Sequence, residues 1–147
     1  MGQQQLLLIV LGVIIVGVAM ATGINMFQTS AVDSNRQALI ADCLAYGAKA
    51  QRFYRTPESL AGGGQDFNGF FLTSAEASNA NGDFNSTTTA PSGTAAVTAE
   101  ADTISTNAAT IYIEASGKEN GNNGSTPVKV YVAITGSAIT STILNRP

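Results

Sequence analysis

The chain has 147 residues, 7 basic and 10 acidic side chains, one cysteine, no histidine and no tryptophan. A single cysteine cannot close an internal disulfide, and without imidazole the usual zinc sites and Ser-His-Asp or Cys-His centres lack a member. The net charge of -3 argues against nucleic-acid binding, which needs clustered Lys and Arg, and charged residues at 12% fall to about half the usual share.

No Asp, Glu, Lys or Arg occurs before Asp33. From Leu6 to Ala21 every residue is apolar or glycine, and the stretch to Phe27 adds only Thr22, Gly23 and Asn25. At about 1.5 Å per residue, a helix over the strict run is roughly 24 Å long and over the extended run roughly 33 Å, against a hydrocarbon core of about 30 Å. The segment is long enough to cross a bilayer. A secretory signal would open with basic residues, whereas here Gln3, Gln4 and Gln5 precede the run.

Between Gln28 and Thr56 there is no proline and one glycine, Gly47. Val32, Leu39, Cys43, Ala50 and Tyr54 recur at helical spacing with Ile40 and Leu44 beside them, while Asp33, Arg36, Asp42, Lys49 and Arg52 mostly take other faces. This predicts an amphipathic half helix over 28–56 that continues an apolar half helix over 1–27, closed by Thr56-Pro57. Cys43 reads as a small core residue on the stripe.

Residues 57–93 are rich in Gly, Ser, Thr, Asn and Asp and read as irregular loop, anchored by Phe67, Phe70, Phe71, Leu72 and Phe84. Residues 94–147 alternate with a two-residue period in TAAVTAEADTIS, ATIYIEA, VKVYVAIT and SAITSTIL, with a turn-rich connection before Val128 and a tighter hairpin at Gly136-Ser137. Three or four antiparallel strands are expected, one face on the amphipathic half helix and one face wet. The fold class is α+β, with residues 28–147 forming one globular head.

This order of elements, opened by Met1-Gly2-Gln3-Gln4-Gln5 and the apolar run from Leu6, resembles the type IV pilin family, including the pseudopilins of type II secretion. The resemblance in sequence covers about the first thirty residues. It implies an inner-membrane chain freed of a short leader by a prepilin peptidase, with Met1 the processed and methylated first residue, and then a homopolymeric extracellular filament built by a pilus assembly machinery. Under the alternative cut, Gly2 supplies the glycine before Gln3; the frame of the family favours Met1. The filament core would be packed by Leu6, Leu7, Leu8, Ile9, Val10, Leu11, Val13, Ile14, Ile15, Val16 and Val18, with Gly12, Gly17, Ala19 and Ala21 allowing close helix approach.

Two departures stand out. The family usually carries a glutamate where this chain has Gln5, so Gln3, Gln4 and Gln5 are the candidate partners of the N-terminal amine. It often carries a proline where this chain has Thr22, so Gly17, Thr22 and Gly23 are the candidate sites of helix loosening on assembly.

A type II secretion pseudopilin and a simple membrane-anchored small domain are the alternative functions. The calcium loops of many pseudopilins prompt a search for clustered acids, but Asp66, Glu76, Asp83, Glu100 and Asp102 are scattered, and only Glu100 and Asp102 lie two apart. Neither metal, cofactor nor catalytic residues are expected, and an enzyme is the weakest reading. The 12 Ser and 16 Thr suit a soluble shell with few charges. Asn85-Ser86-Thr87 and Asn123-Gly124-Ser125 match the N-glycosylation pattern, and Ser86, Thr87, Thr88 and Thr89 form a hydroxyl cluster suited to O-glycans.

Overall fold

A computed structural model describes residues 2–93, 95–121 and 124–144. Helix α1 (Gly2–Arg55) is continuous over 54 residues, far beyond the globular mean of about 11 to 12. No proline interrupts it, and the hydroxyls of Thr22 and Thr29 donate back to the carbonyls of Val18 (2.9 Å) and Asn25 (3.0 Å). The chain divides into two compact units, Met1–Ala31 and Val32–Pro147.

In the first unit the large apolar side chains from Leu6 to Phe27 are 49% to 79% exposed. In the second, α1 buries a stripe of Val32, Arg36, Leu39, Cys43, Gly47 and Ala50 against the head. A side chain at Gly47 would meet Ile134 and Ile139 at 3.3 to 3.4 Å, so glycine sets how closely helix and sheet approach. Two positions depart from the helical-wheel expectation. Arg36 lies on the buried stripe at 8% exposure, its guanidinium bonded to Asp33 one turn earlier, and Leu44 is 40% exposed.

The sheet is an antiparallel meander in the order β1 (Gly82–Thr87), β2 (Thr110–Asn120), β3 (Pro127–Thr135) and β4 (Ile139–Ile143). Its register stacks Phe84 on Ala115, Ala115 on Val130, and Val130 on Ile143, with Ile113 opposite Val132 and Ile111 opposite Ile134. These side chains, with Phe67, Phe70, Leu72 and Ile104 from the connections, make one core with α1. The hairpin at Gly136 closes through Thr135 N–H donating to the Ala138 carbonyl (2.9 Å), with Ala138 N–H donating to the Thr135 hydroxyl (3.0 Å).

The expected boundary between loop and sheet is corrected at two places. Residues 57–93 are not wholly irregular: they hold a short 3-10 turn (Glu58–Leu60), helix α2 (Ser74–Ala77) and all of β1. Conversely, residues 95–105 form no strand and make a single bridge, Phe71 with Thr103. GDFNST has one large apolar residue and becomes a strand because β2 offers it a full ladder, whereas TAAVTAEADTIS has the alternation but too little side-chain volume to pair. The outer sheet face is not simply wet. Val97 is buried there, its N–H donating to Ser116 Oγ (3.0 Å), and Lys129 is buried with its ammonium 3.3 Å from the Glu114 carboxylate.

Candidate functional site

The apolar half of α1 is the feature that demands a function. Aliphatic side chains surround it on every side, and a monomer in water rarely exposes a contiguous apolar surface above a few hundred Å². Leu6, Leu7, Leu8, Ile9, Val10, Leu11, Val13, Ile14, Ile15, Val16 and Val18 all lie exposed on it. Beyond their own turns of helix, Gly12, Gly17 and Gly23 have no atom of the described residues within 4 Å of where a Cβ would stand. Gly17 and Ala21 are four apart, as are Ala19 and Gly23, which puts small residues in rows where another helix can approach closely.

The first turn of α1 carries no acidic residue, and Gln3, Gln4 and Gln5 are exposed on it. The helix there offers amides but no carboxylate to a nearby cation. Met1 lies outside the described residues. The helix is unbroken through Gly17, Thr22 and Gly23, and the Thr22 hydroxyl gives the Val18 carbonyl a second donor in that turn.

The head holds α1 at both ends of the helical stripe. Near its start, Asp42 Oδ2 accepts from the side-chain amides of Asn79 (2.9 Å) and Asn81 (2.8 Å), and Asn35 donates to the Asn81 carbonyl (2.9 Å). Asn79 Oδ1 in turn accepts from the N–H groups of Asn81 and Gly82, so the SNANG segment is fastened to the helix just where β1 begins. Replacing Asp42 by alanine leaves both amides without their charged acceptor and is expected to cost about 2 kcal/mol. Thermal unfolding of the detergent-solubilised chain would read this as a Tm lower by roughly 5 to 10 °C, and an unchanged Tm would contradict it.

At the far end, the triple-glycine loop folds back to cap α1. Gly63 N–H donates to the Phe53 carbonyl (2.9 Å), Gln65 N–H to that of Tyr54 (2.8 Å) and Gly64 N–H to that of Thr56 (3.0 Å). Three aromatic pairs complete the seam: Tyr46 with Phe84 at 5.2 Å, Phe53 with Phe70 at 5.8 Å and Tyr54 with Phe67 at 4.8 Å between centroids. Phe67, Phe70, Leu72 and Phe84 are buried as anchors, but Phe71 is 49% exposed: it lies between buried Phe70 and Leu72 in the segment that bridges Thr103, so alternation turns it outward.

The acids fall into separate settings. Asp66 Oδ1 accepts from the N–H groups of Asn68 and Ala108, Asp83 pairs with Lys118 and Ser78, and Glu76 takes Lys49 together with the N–H and hydroxyl of Thr73. Among the described residues no three acids or thiols converge as a metal site. Burial alone would raise the Glu76 pKa, but the Lys49 and Thr73 hydrogen bonds outweigh it and hold the carboxyl below its ordinary value; the Ser78 hydroxyl, followed by Lys118, does the same for Asp83. A depressed carboxyl stabilises the fold above its unfolded pKa, and that contribution is lost as pH falls through the folded value. The Tm is therefore expected to be level above about pH 5 and to fall below about pH 4.5, less steeply in Glu76→Gln. A Tm independent of pH down to pH 3 would contradict these pairings.

Of the glycan candidates, Ser86 is 6% exposed and faces inward from β1, so it cannot carry a sugar within this fold. Asn85 and Thr87 are part-buried on the other face, Thr88 and Thr89 are exposed, and Asn123 lies outside the described residues. Cys43 is fully buried and its thiol is pushed up to about 12, mainly by burial. Comparison with protein-family models, curated proteins and solved structures returns no match.

Proposed function

We propose that this chain is the repeating, non-catalytic subunit of an extracellular filament of the type IV pilin kind, held in a membrane by the apolar half of α1 before assembly and in a homopolymer core by the same surface afterwards. The observation that carries the reading is the exposed aliphatic run joined to a folded head by uninterrupted helix. A bilayer and a bundle of like helices both satisfy such a surface, so moving between them replaces lipid contacts with packing contacts and needs no refolding of the head. Burying each large aliphatic side chain is worth about 1.5 to 3 kcal/mol relative to water, which strongly favours either environment over a free soluble chain.

A plain membrane anchor commonly meets a linker as it leaves the bilayer. Here α1 runs on as helix through Phe27 to Arg55, with no linker at the end of the apolar run, which favours the filament subunit over the plain anchor. Mechanical shearing of producing cells tests the proposal: the chain is expected in the released high-mass fraction, and its retention in the membrane fraction would favour the anchor or pseudopilin reading.

A further inference from the structure

Four of the six described cations of the head are paired within the chain, as Arg36–Asp33, Lys49–Glu76, Lys118–Asp83 and Lys129–Glu114. Among the described residues, Arg52 and Arg55 are the two cations without an ion-pair partner, and Arg55 donates only to the Gly136 carbonyl (3.2 Å). Their place in the last turn of α1 suits the helix dipole. The dipole does not account for what lies beside Arg52: an open groove of about 240 Å³ lined by Lys49, Arg52, Phe53, Leu60, Phe70 and Phe71, with Arg55 in the adjoining cleft that Arg52 also borders. Leu60 is 72% and Phe71 49% exposed on its rim, so apolar surface and unpaired positive charge share one patch.

The opposite chemistry lies in the run Thr98-Ala99-Glu100-Ala101-Asp102-Thr103. All six residues are exposed, and none has a large apolar side chain. The run is fixed at both ends, by Val97 N–H on Ser116 Oγ and by Ile104 N–H on the Phe70 carbonyl (2.8 Å), so little ordering entropy is left to lose on binding. Glu100 and Asp102 have no ion pair among the described residues, although Thr103 bridges Phe71 within the same copy. Two unpaired acids thus match two unpaired arginines, and alanines of small volume suit a groove rimmed by Leu60 and Phe71.

We infer that the Thr98–Thr103 run of one copy docks in the Arg52–Phe71 groove of a second copy, with Glu100 and Asp102 meeting Arg52 on the groove and Arg55 in the cleft beside it. The contact takes its setting from the polymer reading and adds a head-to-head surface to the helix core. Its electrostatic part steers and selects the neighbour, while the exclusion of water from Leu60 and Phe71 supplies the affinity.

The test uses two full-length single-site variants, Arg52→Cys and Asp102→Cys, produced together and oxidised both in sheared filaments and in detergent micelles. Only two different copies can form the mixed disulfide, and buried Cys43 stays silent. The expected result is a mixed dimer at least tenfold above the dimer that either variant gives alone. Mixed dimer no higher than those controls, in filaments that do form, would overturn the docking and leave the polymer reading standing. Mixed dimer in micelles with no filaments in the sheared material would do the reverse, and loss of both would remove both. As a second readout, Arg52→Glu is expected to lower filament yield about tenfold and to regain it when combined with Glu100→Arg and Asp102→Arg; no regain would count against the contact.

Discussion

Gly63→Ala is expected to destabilise the head severely, by about 3 to 5 kcal/mol. A Cβ at Gly63 would overlap the Asp66 carbonyl oxygen and stand 2.8 Å from the Phe53 ring, and backbone cannot yield as a flexible side-chain end can. The loop must move, and in moving it gives up the bonds from Gly63, Gly64 and Gln65 to the last carbonyls of α1. Each such bond is worth about 1 kcal/mol net, and the carbonyls it frees are partly shielded from water, so the total loss is about 3 to 5 kcal/mol. That is a large share of the roughly 5 to 15 kcal/mol that holds a domain together. Gly93→Ala serves as the control. Gly93 has a positive φ of 81° but open space around it, and its substitution should cost only about 1 kcal/mol. Chemical denaturation of the detergent-solubilised variants measures both; equal midpoints for the two would refute the capping role of the triple glycine.

Val16→Arg is expected to abolish filaments while leaving the head intact. Val16 sits near the middle of the aliphatic run and is 58% exposed, so the change disturbs none of the buried core of the head. In a bilayer the arginine costs about 2.5 to 3.5 kcal/mol at the helix centre. In a core of like helices, every copy would bring the same buried and unpaired charge, and the cost recurs at each subunit. Filament yield should fall more than a hundredfold with the thermal unfolding of the head unchanged. Wild-type yield would show that this surface is not the polymer core, and a lowered Tm would show that the run supports the head after all.

The parts of this fold that were legible are those in which spacing alone carries the signal. The aliphatic run, the helical recurrence of Val32, Leu39, Cys43 and Ala50, and the alternation in β2 and β3 each follow from local chemistry and reappear as expected. The misses are tertiary. Phe84 lies in a segment of turn-forming residues that is a strand only because β2 pairs with it, and residues 95–105 alternate correctly yet are held chiefly by Val97 and Ile104. Arg36 reads as solvent-facing until the neighbouring Asp33 is seen to bond its buried guanidinium. The triple glycine reads as a flexible connection, although its backbone caps the helix that precedes it, a role that no residue pattern announces. The run from Leu6 to Phe27 is legible as helix from its composition alone, and the structure leaves its large side chains exposed.

The central claim is that the apolar half of α1 forms the core of a polymer, and helical reconstruction by cryo-electron microscopy of sheared surface material tests it most directly. The account predicts a filament whose central density fits the side chains from Leu6 to Phe27, packed against copies of themselves, with the heads outside. A filament whose core is built from any other segment, or sheared material without a filament while the chain stays in the membrane, would contradict it.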